Sequence, residues 1–482
     1  MATPAQTLSK VVSSNVEDQL KATGEAQVIV VLAPAKAGLA MAVSSGPSQD
    51  LLNCFKLTDK SRWTALARAT TSLAKGAGLA AGAAVALARQ VPPVRHYPNL
   101  NLLLGNVDRD GLNAVANHSE VVKIAGAPQM SLIAPKRVAA AKLPAANTWG
   151  IERLKIPLLW KQGLSGKTVR VAHLDTGVDG KHPALRGGAI AEFVQFDDLG
   201  ARVSPDPAPF DSGEHGTHTA GTIAGRPVKK KSIGVAPGTQ LLSAMVIEGG
   251  SVIARVLGGL DWAIENKPGV ISMSLGFPGF VNDFIDIFAL LRQRDILPCI
   301  AVGNDGPGTS RSPGNYTDVI SVGACDVNNA VADFSGSQNF ARAENPLVPD
   351  LLAPGVNVIS AKPGGSYQAM DGSSMATPHM AGLAALLREA APNKSAADVE
   401  NAIYQSCVLP PGIPADRGNR GIADATVAFR ILTGVELKTS LARPKKSTAA
   451  ARPKKSTPKH KAASRSTKRK AASRSIRHKR TR

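Results

Sequence analysis

Five short apolar runs, RVAHLDTG, TQLLSAMVI, GVISMSLG, ILPCIAVGN and VISVGAC, each lead into a glycine or a polar residue. Between them lie stretches with helical spacing, VIARVLGGLDWAIEN and DFIDIFALLRQR. Wholly apolar strands alternating with helices call for a parallel sheet covered on both faces, because parallel neighbours need crossovers and the crossovers supply the cover. The expected fold class is therefore α/β, a mostly parallel sheet with helices on both faces. In such sheets ligands collect at the carboxyl ends of the strands. The chemically unusual residues of this chain fall at those ends.

The 482 residues exceed one ordinary domain, at a guide value of about 150 residues each. Residues 1–25 read as a frayed polar leader. Residues 26–130 read as a small α+β unit: AQVIVVLA and NLNLLLGNV as strands, DRDGLNAVANHSE as a capped helix, VVKIAGA as a third strand. Residues 131–147, SLIAPKRVAAAKLPAANT and its flank, read as an exposed linker. The sheet unit spans 148–435 and a tail spans 436–482. A small-residue helix is expected over GAGLAAGAAVALA, too short and too weakly apolar to cross a bilayer.

The charge of the chain is concentrated in that tail. The net charge is +21, and the 18 Lys and Arg from Lys438 onward, unrelieved by any acid, leave +3 for everything before them. ARPKKST recurs at 442 and 451, and KAASRS at 461 and 470. With almost no large apolar side chains, such a segment cannot offset its ordering entropy, so it is expected to be disordered. Its chemistry suits non-specific nucleic acid or an anionic surface. It has no aromatics for base stacking.

Four sites carry chemistry. HLDTGVDGKHP places Asp175 after a strand, with Gly177 allowing a sharp turn; EHGTHTAGTIAG puts His215 at a helix entry; AVGNDG puts Asn304 at a strand end; DGSSMATPHMAG puts Ser374 at a helix start. Singly, an Asp at a turn or a Ser at a helix start is an ordinary cap. Together they are the parts of acyl transfer. A serine hydroxyl needs an imidazole to take its proton, the imidazole needs a carboxylate, and the tetrahedral oxyanion needs donors already in place.

These motifs, in the order Asp, His, Ser, resemble the subtilisin-like serine proteases (subtilases) from about Thr148 to Thr433. The resemblance implies a subtilisin-like fold and a serine endopeptidase working through an acyl-enzyme. It implies Asp175 as orienter, His215 as base and acid, Ser374 as nucleophile and Asn304 as oxyanion donor. It further implies substrate pairing at Gly249, Gly250, Ser251, Ser274, Leu275 and Gly276, with Ala301, Val302 and Gly303 walling the side-chain pocket. The 26–130 unit then resembles an inhibitor-type propeptide of a zymogen, cut within 131–147. Protein and peptide substrates and the chain's own propeptide are the implied partners, and a monomer is expected. The competing reading is an inactive subtilase fold acting as a nucleic-acid- or surface-binding module through its tail.

The chain departs from the family in three places. Ser373 stands where threonine is usual, and Phe277 where a small residue is common. Ala184 replaces an acidic residue that holds calcium in many relatives, and the neighbouring loop is GRPVKKKSIG. Three lysines are hostile to a hard cation, so no metal and no cofactor are expected. His218 lacks the partners of a zinc site. His173 reads as a packed histidine on the face of Asp175, and His379 has no assigned role. Cys54, Cys299, Cys325 and Cys407 form no CxxC pair and read as free thiols. The first residues lack a basic segment followed by an apolar one. That points to a cytoplasmic or non-classically exported protein, whereas family habit implies secretion.

Overall fold

The computed structural model describes residues 14–33, 46–55, 94–127, 130–248, 252–340 and 345–437. The small-residue stretch at 76–88 and the basic tail from Lys438 lie outside these residues, as do Gly249, Gly250 and Ser251.

The chain opens with α1 (Ser14–Thr23) and β1 (Ala26–Leu32), followed by β2 (Val94–Tyr97), β3 (Leu102–Val107), α2 (Arg109–Asn117) and β4 (Val121–Gly126). The strands form one antiparallel sheet in the order β2–β3–β1–β4. Asp108 caps α2 by accepting the Gly111 N–H at 2.8 Å. Strand alternation splits the side chains between two cores. Val28, Val30, Leu103 and Ile124 pack with Val16 and Leu20 of α1 and with Leu112 and Val115 of α2. Ile29, Leu102, Leu104 and Ala125 face the other way, into a core shared with the following unit. The leader expected to be frayed is thus a helix over Ser14–Thr23, because Val16 and Leu20, four apart, bury on this sheet.

The expected linker is exposed along most of its length but is more ordered than expected: it contains β5 (Ser131–Leu132) and β6 (Arg137–Ala141), and Ile133 is buried. Its backbone groups find partners on distant strands, which holds it in place.

Seven strands then build an all-parallel sheet: β7 (Arg170–Asp175), β8 (Ile190–Gln195), β9 (Gln240–Met245), β10 (Val270–Met273), β12 (Leu297–Ala301), β13 (Ile320–Cys325) and β14 (Leu351–Pro354). A short β11 (Leu275–Pro278) follows β10 outside the sheet. The order is β14–β13–β12–β10–β7–β9–β8. The sequence reading did not pick out β2, β8 or β14. One face, with Val171, Val270, Leu297 and Val322, packs under α6 (Ser373–Ala390). The other, with Ala172, Leu174, Ile271 and Ile300, packs under α4 (Val252–Glu265) and α5 (Ile285–Gln293). Between β14 and α6 lies the antiparallel hairpin of β15 (Val358–Lys362) and β16 (Ser366–Asp371). After β7 the chain first builds outward through β8 and β9, then crosses to the opposite side with β10. The crevice at such a reversal is where open α/β sheets bind ligands, and Asp175 ends β7.

Candidate active site

Asp175 enters the crevice on a turn that only glycine at 177 allows. Gly177 has φ +113°, and a Cβ there would sit 2.3 Å from the Phe210 carbonyl oxygen. The carboxylate is buried and shared. Its Oδ1 accepts His215 Nδ1–H at 2.7 Å and the Thr176 N–H at 2.7 Å, and its Oδ2 accepts the Thr219 hydroxyl at 3.0 Å. Burial alone would raise this carboxyl, but the His215 charge and hydrogen bond, with His173 and the Thr176 N–H, hold it below the ordinary value.

His215 begins α3 (His215–Ala224). The orphan N–H groups of that helix start are met by a residue the sequence reading missed. Asp211 Oδ2 accepts the Thr217 N–H at 2.7 Å and hydroxyl at 2.6 Å, while Oδ1 accepts the Thr176 hydroxyl at 2.7 Å and the Gly213 N–H at 3.0 Å. Thr176 in turn accepts the Gly216 N–H at 2.9 Å. One carboxylate thereby ties the turn after Asp175 to the helix that carries His215. An acid just ahead of a helix start was the available signal.

Ser374 is the second residue of α6 and is fully buried. Pro378 has no N–H to give the Ser374 carbonyl; Ser274 Oγ donates to it instead, at 3.3 Å. Asn304 follows β12, and its amide is oriented from behind. Its Oδ1 accepts both the Ser373 N–H and the Ser373 hydroxyl at 2.8 Å, which turns Nδ2 toward the cleft. The serine in place of threonine at 373 therefore keeps the hydroxyl that this orientation uses.

The cleft is filled by the chain's own residues 131–141. Ser131 and Leu132 pair antiparallel with Gly276 and Leu275, and the Ile133 N–H donates to Ser274 O at 3.0 Å. The Ser374 hydroxyl donates to Ile133 O at 2.7 Å, and Asn304 Nδ2 to Ala134 O at 2.9 Å. Beyond this point the Lys136 N–H donates to Asp371 O at 2.8 Å, and β6 pairs with β16 from Arg137 opposite Asp371 to Ala141 opposite Tyr367. Under this cover His215 Nε2 is buried with no hydrogen-bond partner among the described residues.

The structure thus brings Asp175 to His215, and Ser374, Asn304, Ser274, Leu275 and Gly276 to one extended segment. Ala301 and Val302 are wholly buried. Val302 is bonded to Val322 and Arg311, and the Gly303 N–H donates to Ser373 Oγ at 3.3 Å. Phe277 turns away from the cleft; its ring lies 4.9 Å from that of Phe284 in the core. Met375, beside Ser374, is buried against Val358 and Met370.

His218 and His379 are held by backbone carbonyls. His218 Nε2–H donates to Val358 O at 2.9 Å and His379 Nδ1–H to Met375 O at 2.9 Å. Burial pushes them down to about 3 and about 4. The four cysteines are free; Cys299 and Cys325 are buried, and burial pushes the Cys325 and Cys407 thiols up to about 12. The loop near Ala184 does not fit calcium. Ala184 offers only a carbonyl, which already accepts the Arg226 N–H at 2.8 Å, and Arg226 and Lys229–Lys231 bring cations rather than oxygen ligands.

Comparisons with known proteins point to one family. The subtilase family profile matches residues 166–464. Subtilisin Savinase of Lederbergia lenta is 37% identical over 257 residues, 52% of this chain and 88% of that protein. An intracellular serine protease of Paenibacillus polymyxa is 39% identical over 250 residues, 50% of this chain and 73% of that protein. Subtilisin E of Bacillus subtilis is 36% identical over 262 residues, 52% of this chain and 64% of that protein.

Proposed function

Given that this chain belongs to the subtilase family and is a serine endopeptidase acting on proteins and peptides, we propose that Ser374, His215 and Asp175 are its triad and that residues 131–141 are its first substrate. In this reading Ser374 Oγ attacks the Ile133 carbonyl carbon while His215 Nε2 takes the hydroxyl proton. Asp175 stabilises the imidazolium, and Asn304 Nδ2 moves from Ala134 O to the oxyanion forming one residue earlier. The proton then passes to the Ala134 nitrogen as the Ile133–Ala134 bond breaks. Water releases Ile133 from the acyl-enzyme by the same steps in reverse.

The observation that carries the reading is the 2.7 Å contact between the Ser374 hydroxyl and Ile133 O on a segment paired to β11 on one side and β16 on the other. It supports a zymogen in which 26–130 is the inhibitory unit and the processing site of 131–147 is the Ile133–Ala134 bond. Purified wild-type chain should yield a fragment beginning APKRVAAAK. The Ser374→Ala chain should stay full length and lose more than about a thousandfold of casein hydrolysis. Cutting of that variant at the same bond in a protease-free preparation refutes the reading.

The tail supports a second, non-catalytic property. Its 18 cations favour weak, salt-sensitive attachment to polyanions. Duplex DNA held equally well at low salt by chains with and without residues 438–482 would remove this property.

A further inference from the structure

Asp175 is flanked by two imidazoles, and the triad reading uses only one. On the side opposite His215 lies His173, two residues earlier on the same face of β7 and 1% exposed. Its Nε2 is 2.9 Å from Thr219 Oγ1 and 3.7 Å from Asp175 Oδ2, and its Nδ1 is 3.1 Å from Ser243 Oγ on β9. Four acceptors compete for the single proton of Thr219: His173 Nε2 at 2.9 Å in the tautomer that leaves it bare, Asp175 Oδ2 at 3.0 Å, Gly216 O at 3.1 Å and His215 O at 3.2 Å. An ionised carboxylate is the strongest acceptor of the four. Thr219 therefore gives its proton to Asp175 and accepts from His173 Nε2–H. The bare Nδ1 of the neutral ring then accepts from Ser243. Every proton in the row has one direction, from Ser243 to His173 to Thr219 to Asp175.

We infer that Thr219, backed by His173 and Ser243, is a positioning residue of the peptidase: it holds Oδ2 so that Oδ1 faces His215 Nδ1, and it disperses the carboxylate charge that the His215 imidazolium feels. The inference rests on the triad reading. The charged and titratable groups around His173 are Asp175 on its own strand, His215 on α3 and Asp211 on the loop ahead of α3. Burial lowers the His173 pKa, Asp175 and Asp211 raise it, and His215 lowers it further, with a net lowering that keeps the ring neutral. A neutral ring passes a hydrogen bond toward Asp175 without adding a second positive charge beside His215.

Two near-isosteric variants of the full chain decide the matter. Thr219→Val exchanges the hydroxyl for a methyl, and Thr219→Ser keeps it. With the hydroxyl gone, the Asp175 charge is less dispersed and holds the His215 proton more tightly. The acid limb of kcat/KM should move upward by roughly half a pH unit, and kcat should fall about tenfold with KM little changed. Thr219→Ser should restore both. If Thr219→Val is not recovered folded, Thr219→Ala carries the same expectation. An acid limb that stays in place when the hydroxyl is removed, whatever happens to kcat, overturns the inference. So does a Thr219→Ser profile matching that of Thr219→Val. Retained activity in Ser374→Ala would instead strike the triad reading, so the two failures are distinguishable.

Discussion

The two main sheets solve the same problem unequally. The seven-stranded sheet covers one face with α6 and the other with α4 and α5, all drawn from its own unit. The four-stranded sheet covers only one face with its own helices, α1 and α2. Its second face, with Ile29, Leu102, Leu104 and neighbouring Tyr97 and Leu100, is buried in the core that contains α4 and α5. Polar contacts seal that face: the Tyr97 hydroxyl donates to Ala254 O at 3.0 Å, and Asp261 Oδ1 accepts the Asn99 and Leu100 N–H groups at 2.7 and 3.1 Å. The N-terminal sheet therefore relies on its neighbour for the cover of one of its two faces. On the proposed reading of 26–130 as an inhibitory unit, that dependence is useful, because a released fragment that cannot hold its shape cannot return to block the cleft.

The largest expected effect follows directly. Burying each large apolar side chain contributes about 1.5–3 kcal/mol, so losing the cover from five of them costs on the order of 10 kcal/mol. That equals the whole stability of a typical domain, about 5–15 kcal/mol. A chain ending at residue 130 should therefore lack cooperative unfolding and near-ultraviolet dichroism, and should regain both when mixed with the Ser374→Ala unit beginning at Ala134. A cooperative melt of the isolated fragment would end the comparison in its present form.

The same asymmetry explains which parts of the molecule were legible in the sequence. The motifs around the candidate site residues were readable because each is local: a strand, a glycine turn and a polar side chain within a few residues, as in HLDTG around Asp175. The five central strands were readable because burial on both faces leaves an unbroken apolar run. Residues 131–141 read as an exposed linker because their partners, Ser274–Gly276 and Tyr367–Asp371, lie more than a hundred positions away and leave no local period. The leader failed for a related reason, since two apolar residues on α1 suffice only when β1 and β4 are there to receive them. Asp211 and the row behind Asp175 were invisible because hydrogen bonds between a strand, a loop and a helix follow from tertiary placement. His173 was read as packed, which its burial agrees with, but its bonding partners come from α3 and β9.

A smaller effect separates the two units by pH. His218 and His379 lie in the catalytic unit, each with one ring nitrogen donating to a backbone carbonyl and the other, His218 Nδ1 and His379 Nε2, buried without a partner among the described residues. Protonation would bury a second N–H and a charge, a cost that the Gln368 backbone offsets only in part for His218. Their folded values, about 3 and about 4, lie below the unfolded value of 6.5. The unfolded chain therefore binds the extra protons: stability is fully present above pH 6.5 and is lost as pH falls toward those folded values. Each histidine contributes a slope of about 1.4 kcal/mol per pH unit in that window, and buried His173 is lowered in the same direction. In the N-terminal unit His96 is lowered too, by burial, but it is only half-buried. Urea unfolding of the uncut Ser374→Ala chain at pH 7.5 and 5.0, followed by hydrogen exchange, should show the catalytic unit losing several kcal/mol and the N-terminal unit less. No loss in the catalytic unit would mean that the buried imidazoles do not govern its response to acid.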